Sequence, residues 1–264
     1  MSDATVLSPF VRHSRDARGV VTLTLARPQA FNVLSEGMLA ALQNELDAVA
    51  RDEGVRVVVI AAEGKAFCAG HDLKEMRAEP SQSYYEALFA QCARMMMTIQ
   101  RLPVPVVARV QGIATAAGCQ LVAACDLAVA ASDARFAVSG VNLGLFCSSP
   151  SVALSRNLQR KAAFEMLVTG EFITAAEAKA KGLVNRVAEP ERLDAEVEAL
   201  VAAIVAKPRV AIALGKQLFY RQLETGTSAA YEDAGRTMAA NMMDESALEG
   251  VQAFIDKRRP DWGR

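Results

Sequence analysis

Histidine is scarce in this sequence, with two residues among 264, and tryptophan occurs once. So few imidazoles leave no obvious ligand set for a catalytic zinc. The five cysteines (Cys68, Cys92, Cys119, Cys125 and Cys147) lack the Cys-x-x-Cys spacing of a structural one. An odd set of thiols among apolar neighbours reads as reduced and buried, which predicts a reducing compartment. The net charge of -1 supplies no long-range field for nucleic acid or an anionic membrane. No apolar run reaches spanning length without a charge or a helix breaker. Residues 1–12 hold no apolar stretch of signal-peptide length. These absences predict a cytoplasmic protein with neither nucleic acid nor membrane as partner. Gly-x-Gly-x-x-Gly and Gly-x-Ser-x-Gly are also missing, which removes the dinucleotide fingerprint and the hydrolase elbow.

What is present is periodic. Residues 10–14 and 20–25 read as strands about the turn at 16–19 (DARG). Residues 55–61, 104–110 and 126–131 are apolar runs of strand length, as expected for strands covered on both faces. Helical stretches separate them, at 35–51, 73–77, 81–102 and 117–124. The first is capped by Ser35 and sets Met38, Leu39, Leu42, Leu46 and Val49 on one face. Strand, helix, strand in repetition predicts an α/β fold with a parallel sheet. Thr174 and Glu177 spell a capping box, and Gly182 a helix stop. A short strand near 184–187 precedes a helical pattern that runs to 259, broken near Pro208. The chain therefore divides into an α/β core, residues 1–200, and a helical region, 201–264, without an internal repeat.

Two segments carry the chemistry: 66–74 (AFCAGHDLK) and 112–120 (GIATAAGCQ). Each is rich in small residues where a strand hands over to a helix. Small residues let a ligand approach the backbone, and the first N–H groups of a helix have no internal partner. Two such starts at adjacent strand ends can share one polarised oxygen, the geometry of an oxyanion hole. Either segment alone also reads as ordinary strand-to-helix packing.

In this order and separation the two segments resemble the crotonase (enoyl-CoA hydratase/isomerase) superfamily. So do Cys125-Asp126, Phe136, residues 142–144 (NLG), and the stretch from Thr169-Gly170 to Gly182-Leu183-Val184. The resemblance runs from about residue 11 to 259, and residues 146–150 (FCSSP) look nearest to its enoyl-CoA hydratase domain-containing subgroup. It implies a spiral of ββα units, a C-terminal helical trimerisation region, and a trimer or dimer of trimers. The implied ligand is an acyl-CoA thioester, with no cofactor beyond the coenzyme A carried by the substrate. By position the oxyanion donors fall on the backbone N–H groups of His71 and Ala117. Substrate contacts fall on Ala69, His71, Asp72, Leu73, Lys74, Ala117, Gly118, Cys147 and Ser148, with Lys257 near the CoA phosphates. The methionines 95–97, with Leu88, Phe89 and Cys92, read either as acyl-chain lining or as core.

The departures from the family pattern are chemical. Its two catalytic glutamates fall here on Gln120 and Gly140, and neither can transfer a proton at neutral pH. Gln120 either orients a water or the thioester, or merely fills the vacated space. Three functions compete: a weak or atypical hydratase/isomerase of fatty acyl thioesters, a malonyl-type acyl-CoA decarboxylase, and a silent acyl-CoA-binding protein. The Ala69-Gly70-His71-Asp72 sequence resembles decarboxylase members of the family. Gln120→Glu with Gly140→Glu is the expected route to restored hydration, provided position 140 tolerates a side chain.

Overall fold

The computed structural model describes residues 10–262. The chain opens with β1 (Val11–Arg15) and β2 (Val20–Leu25), then α1 (Glu36–Arg51). Ser35 Oγ accepts the Met38 N–H at 3.1 Å and starts that helix as expected. Three similar passages follow. The first is β3 (Val57–Ala62), β4 (Ala66–Cys68), α2 (Leu73–Ala78) and α3 (Gln82–Arg101). Next come β5 (Val106–Val110), β6 (Ile113–Thr115) and α4 (Ala117–Ala124). The third is β7 (Leu127–Ala131), β8 (Arg135–Ala137), α5 (Ser148–Asn157) and α6 (Arg160–Thr169). The chain closes through β9 (Ile173–Thr174), α7 (Ala175–Lys181), β10 (Arg186–Ala188), α8 (Leu193–Val205), α9 (Arg209–Gln222), α10 (Thr227–Met242) and α11 (Glu245–Ile255).

Each passage contributes one strand to each of two sheets. The larger has the order β1-β2-β3-β5-β7-β10 and is parallel apart from the β1–β2 pair. The smaller has the order β4-β6-β8-β9. The chain must bend sharply between sheets, and Gly112 shows why a side chain is excluded there. Its φ is +61°, and a Cβ would come within 1.9 Å of Lys65 O.

The apolar runs predicted as doubly covered strands are so. One face of the larger sheet packs Leu23, Val58, Ile60 and Val106 against Leu39, Leu42 and Leu46 of α1 and Met95 and Ile99 of α3. The opposite face packs Val57, Val59, Val107 and Val129 against Leu193, Val197 and Val201 of α8. Each buried aliphatic side chain stabilises the fold by about 1.5–3 kcal/mol of transfer free energy. Helix α8 runs across residue 200 and belongs with the sheet it covers.

A buried polar joint ties α9 to this core. Lys216 Nζ donates to Asp126 Oδ2 at 2.6 Å and to the carbonyls of Ile99 and Val104, each at 2.9 Å. Tyr220 OH donates to Asp126 Oδ1 at 2.7 Å, and the Val106 N–H to Oδ2 at 2.6 Å. Among the described residues no helix is long and apolar enough to cross a membrane.

Candidate active site

Strands β4 and β6 lie side by side, so the segments that follow them meet. The contact is tight. Gly70 has φ +94°, and a Cβ on it would press the Ala116 Cβ at 2.9 Å and stand 3.4 Å from Ala117 N. Ala116 holds an unusual backbone conformation, φ 51° and ψ −121°, and its N–H bonds Ala137 O at 3.0 Å. A non-glycine residue there stores on the order of 1–3 kcal/mol of strain. Ala117 is the first residue of α4, and no side chain caps that helix. Among the described residues, neither the Ala117 N–H nor the His71 N–H meets an acceptor.

Both residues line a cavity of about 480 Å³. Ala69, Asp72, Leu73, Lys74, Cys147 and Ser148, all expected at the site, share its wall. Asp72 caps α2, its Oδ1 accepting from Lys74 N at 2.8 Å and Glu75 N at 3.3 Å. The His71 ring is fixed by Nδ1, 3.2 Å from Leu34 O, and by an edge contact with Phe89 at 5.6 Å. Burial lowers the imidazole pKa below its ordinary value, opposed by the Leu34 carbonyl. Cys147 stands at the N-cap of α5, with Ser148 and Ser149 opening the helix. Burial raises its thiol pKa, and the Gly140 backbone acts against that rise. A thiol so held is a poor nucleophile.

Three expected residues are not on this wall. Gly118 is a packing residue, since a Cβ there would fall 2.1 Å from Cys68 O. Gln120 is buried on α4, and its Oε1 has no hydrogen-bond partner. Lys257 is exposed just beyond α11. Of the methionine-rich helix, Met95 and Met96 are core, while Phe89 faces the cavity. Sequence reasoning did not select Ala116, Ser139, Leu143 or Leu145 from the remaining wall. Only Ser139 among them is polar, with Oγ 3.0 Å from Thr115 Oγ1.

Position 140 is closed to a side chain. A Cβ on Gly140 would lie 2.5 Å from Leu145 O and 2.7 Å from Cys147 Sγ. The Leu145 N–H bonds back to Gly140 O at 3.0 Å, so the obstructing carbonyl is held by the loop itself. The proviso on Gly140→Glu is therefore not met.

The family model described as enoyl-CoA hydratase/isomerase matches residues 15–264. The enoyl-CoA hydratase domain-containing protein 3, mitochondrial, of Rattus norvegicus is 44% identical, covering 96% of this chain and 85% of the relative. A crystal structure of enoyl-CoA hydratase from Mycobacterium smegmatis superposes with a TM-score of 0.96 at 70% identity, over 97% of this chain and 100% of that one. The human enoyl Coenzyme A hydratase domain-containing protein 3 gives 0.92 at 42% identity, over 96% and 100%. The expectation of a cytoplasmic protein does not survive these comparisons, because the relatives from rat, mouse and human are mitochondrial proteins. Reduced, buried cysteines and a weak net charge suit any reducing compartment, so composition could not separate them. The fold, the meeting of the two helix starts and the similarity along nearly the whole length lead to one conclusion: the chain belongs to the enoyl-CoA hydratase/isomerase family.

Proposed function

We propose that the cavity receives the acyl end of a CoA thioester, and that the backbone N–H groups of His71 and Ala117 hold its carbonyl oxygen as enolate charge develops. One observation carries this reading: the segment leading into α2 abuts the start of α4, and His71 and Ala117, whose N–H groups meet no acceptor among the described residues, line one largely apolar cavity. Fixed donors in such a place gain strength from the exclusion of water. Ala69, Asp72, Leu73, Lys74 and Ser148 then border the thioester, Lys257 meets the CoA phosphates, and coenzyme A enters only as part of the substrate. Gln120 serves as a hydrogen-bonding residue behind Ala117.

The reaction is an atypical, slow hydration or isomerisation, because neither position 120 nor position 140 offers a carboxylate. The same observation favours a second reading, decarboxylation of a malonyl-type thioester, in which loss of carbon dioxide yields the enolate without a base. Incubation with crotonyl-CoA and, separately, methylmalonyl-CoA distinguishes them. Slow conversion of the first supports hydration, and conversion of the second supports decarboxylation. Tight binding with conversion of neither identifies a silent binder and removes the catalytic reading.

A further inference from the structure

Four titratable side chains stand on the cavity wall: His71, Asp72, Lys74 and Cys147. Three are committed. The Asp72 carboxylate caps α2, Lys74 is an exposed cation at the rim, and Cys147 is held as the thiol with its Sγ packed against Gly140. Gln120 carries an amide, which is not basic.

His71 differs from all of these. A carbonyl oxygen only accepts, so the contact with Leu34 O places the ring proton on Nδ1 and leaves a lone pair on Nε2. Nε2 takes no partner among the described residues. Nor is it among the enclosed polar atoms left without one, which are Gln43 Oε1, Tyr84 OH, Gln120 Oε1 and Asn241 Nδ2. It is thus an accessible acceptor on a residue of the cavity wall. Leu34, just before α1, and Phe89 of α3 fix the ring from two sides, so the lone pair is held in place.

We propose that His71 Nε2 is the general base of this site, taking the α-proton of the acyl thioester whose oxygen the same residue's N–H holds. The inference rests on the acyl-thioester reading above. In the step, the α C–H bond breaks and its electron pair flows to the carbonyl oxygen, giving the enolate. The proton passes to Nε2, and the ring becomes imidazolium. In D₂O the imidazolium exchanges that proton for a deuteron, releasing HOD, and reversal delivers the deuteron to the α carbon, so the net change is exchange of an α hydrogen for deuterium. Burial supports the assignment by keeping the free ring neutral near physiological pH.

The test is deuterium incorporation at the α carbon of butyryl-CoA in D₂O, followed by mass spectrometry, with calorimetric titration of butyryl-CoA in parallel. His71→Gln keeps the backbone N–H, and His71→Asn is the second variant, with circular dichroism confirming the fold of each. Exchange is expected to fall by about 10²–10⁴-fold while butyryl-CoA affinity is retained. Free imidazole is expected to restore part of the rate to His71→Ala. Folded variants exchanging at the native rate would overturn the proposal, as would a native protein that binds butyryl-CoA without exchanging it. A native protein that binds no butyryl-CoA would instead overturn the acyl-thioester reading itself.

Discussion

At the residue scale, the site depends on close backbone contacts more than on reactive side chains. Gly70, Ala116 and Gly140 matter for what they lack. The obstruction at 140 fixes the outcome of the obvious repair: Gln120→Glu with Gly140→Glu is expected to leave crotonyl-CoA hydration no faster than native. The added side chain must displace the Leu145 carbonyl and the Cys147 thiol, an overpacking that typically costs about 1–3 kcal/mol. Activity assays together with a urea melt check this, and a large gain in hydration would show that the loop yields. His71 gives a pH prediction. Its folded pKa is depressed, so below about 6.5 the unfolded chain takes up the proton first. Stability is therefore lost as pH falls from 6.5 through the folded pKa, and His71→Gln should flatten that part of the melting profile. The site was partly legible in the sequence: small residues at two strand-to-helix junctions marked the segments 66–74 and 112–120, and the family resemblance narrowed them to His71 and Ala117. Gly118 and Gln120 lie off the cavity wall, and sequence spacing cannot say that Gly118 packs on Cys68 instead.

Among elements, legibility followed length. Strands β3, β5 and β7 span enough apolar positions to be read, and α1, α3 and α7 announce themselves through Ser35, Ser81 and Thr174 as caps. Strands of two or three residues, such as β4 and β9, have no period to detect. They exist because the neighbouring sheet supplies their hydrogen-bond partners, so the smaller sheet came into view only through the family resemblance. Helices α5 and α6 escaped for a related reason, since neither start has a side-chain cap. Joints between elements are likewise invisible in one dimension. Lys216 meets Asp126 across 90 residues, with the two side chains only 5% and 13% exposed. Lys216→Met should cost on the order of 3 kcal/mol, the low end for breaking a buried pair, because Val106 and Tyr220 still serve Asp126. A urea melt at constant protein concentration measures it. A loss below roughly 1 kcal/mol would mean the pair behaves like a surface one.

For the whole molecule, the apolar surface of the C-terminal helices is the main unexplained quantity. Phe254 is 85% exposed, Met238 71% and Tyr231 76%, and Phe219 and Leu223 are also open to solvent. Apolar patches on this scale mark association surfaces. The chain is expected to sediment as a trimer or a dimer of trimers at micromolar concentration, and Phe254→Glu should lower its association state. A native 28.2 kDa monomer would contradict this account of the helical region. The central claim concerns the thioester oxygen, and isotope-edited infrared spectroscopy of bound carbonyl-labelled butyryl-CoA addresses it directly. Two fixed N–H donors polarise the carbonyl, so its stretch should move to lower frequency on binding. Ala117→Pro removes one donor at a helix position that accepts proline, although Ala116 must keep its strained conformation. In a variant shown to be folded, the stretch should shift back toward its free value and turnover should drop about 10²–10³-fold. A carbonyl frequency unchanged between free and bound thioester in the native protein would contradict the account.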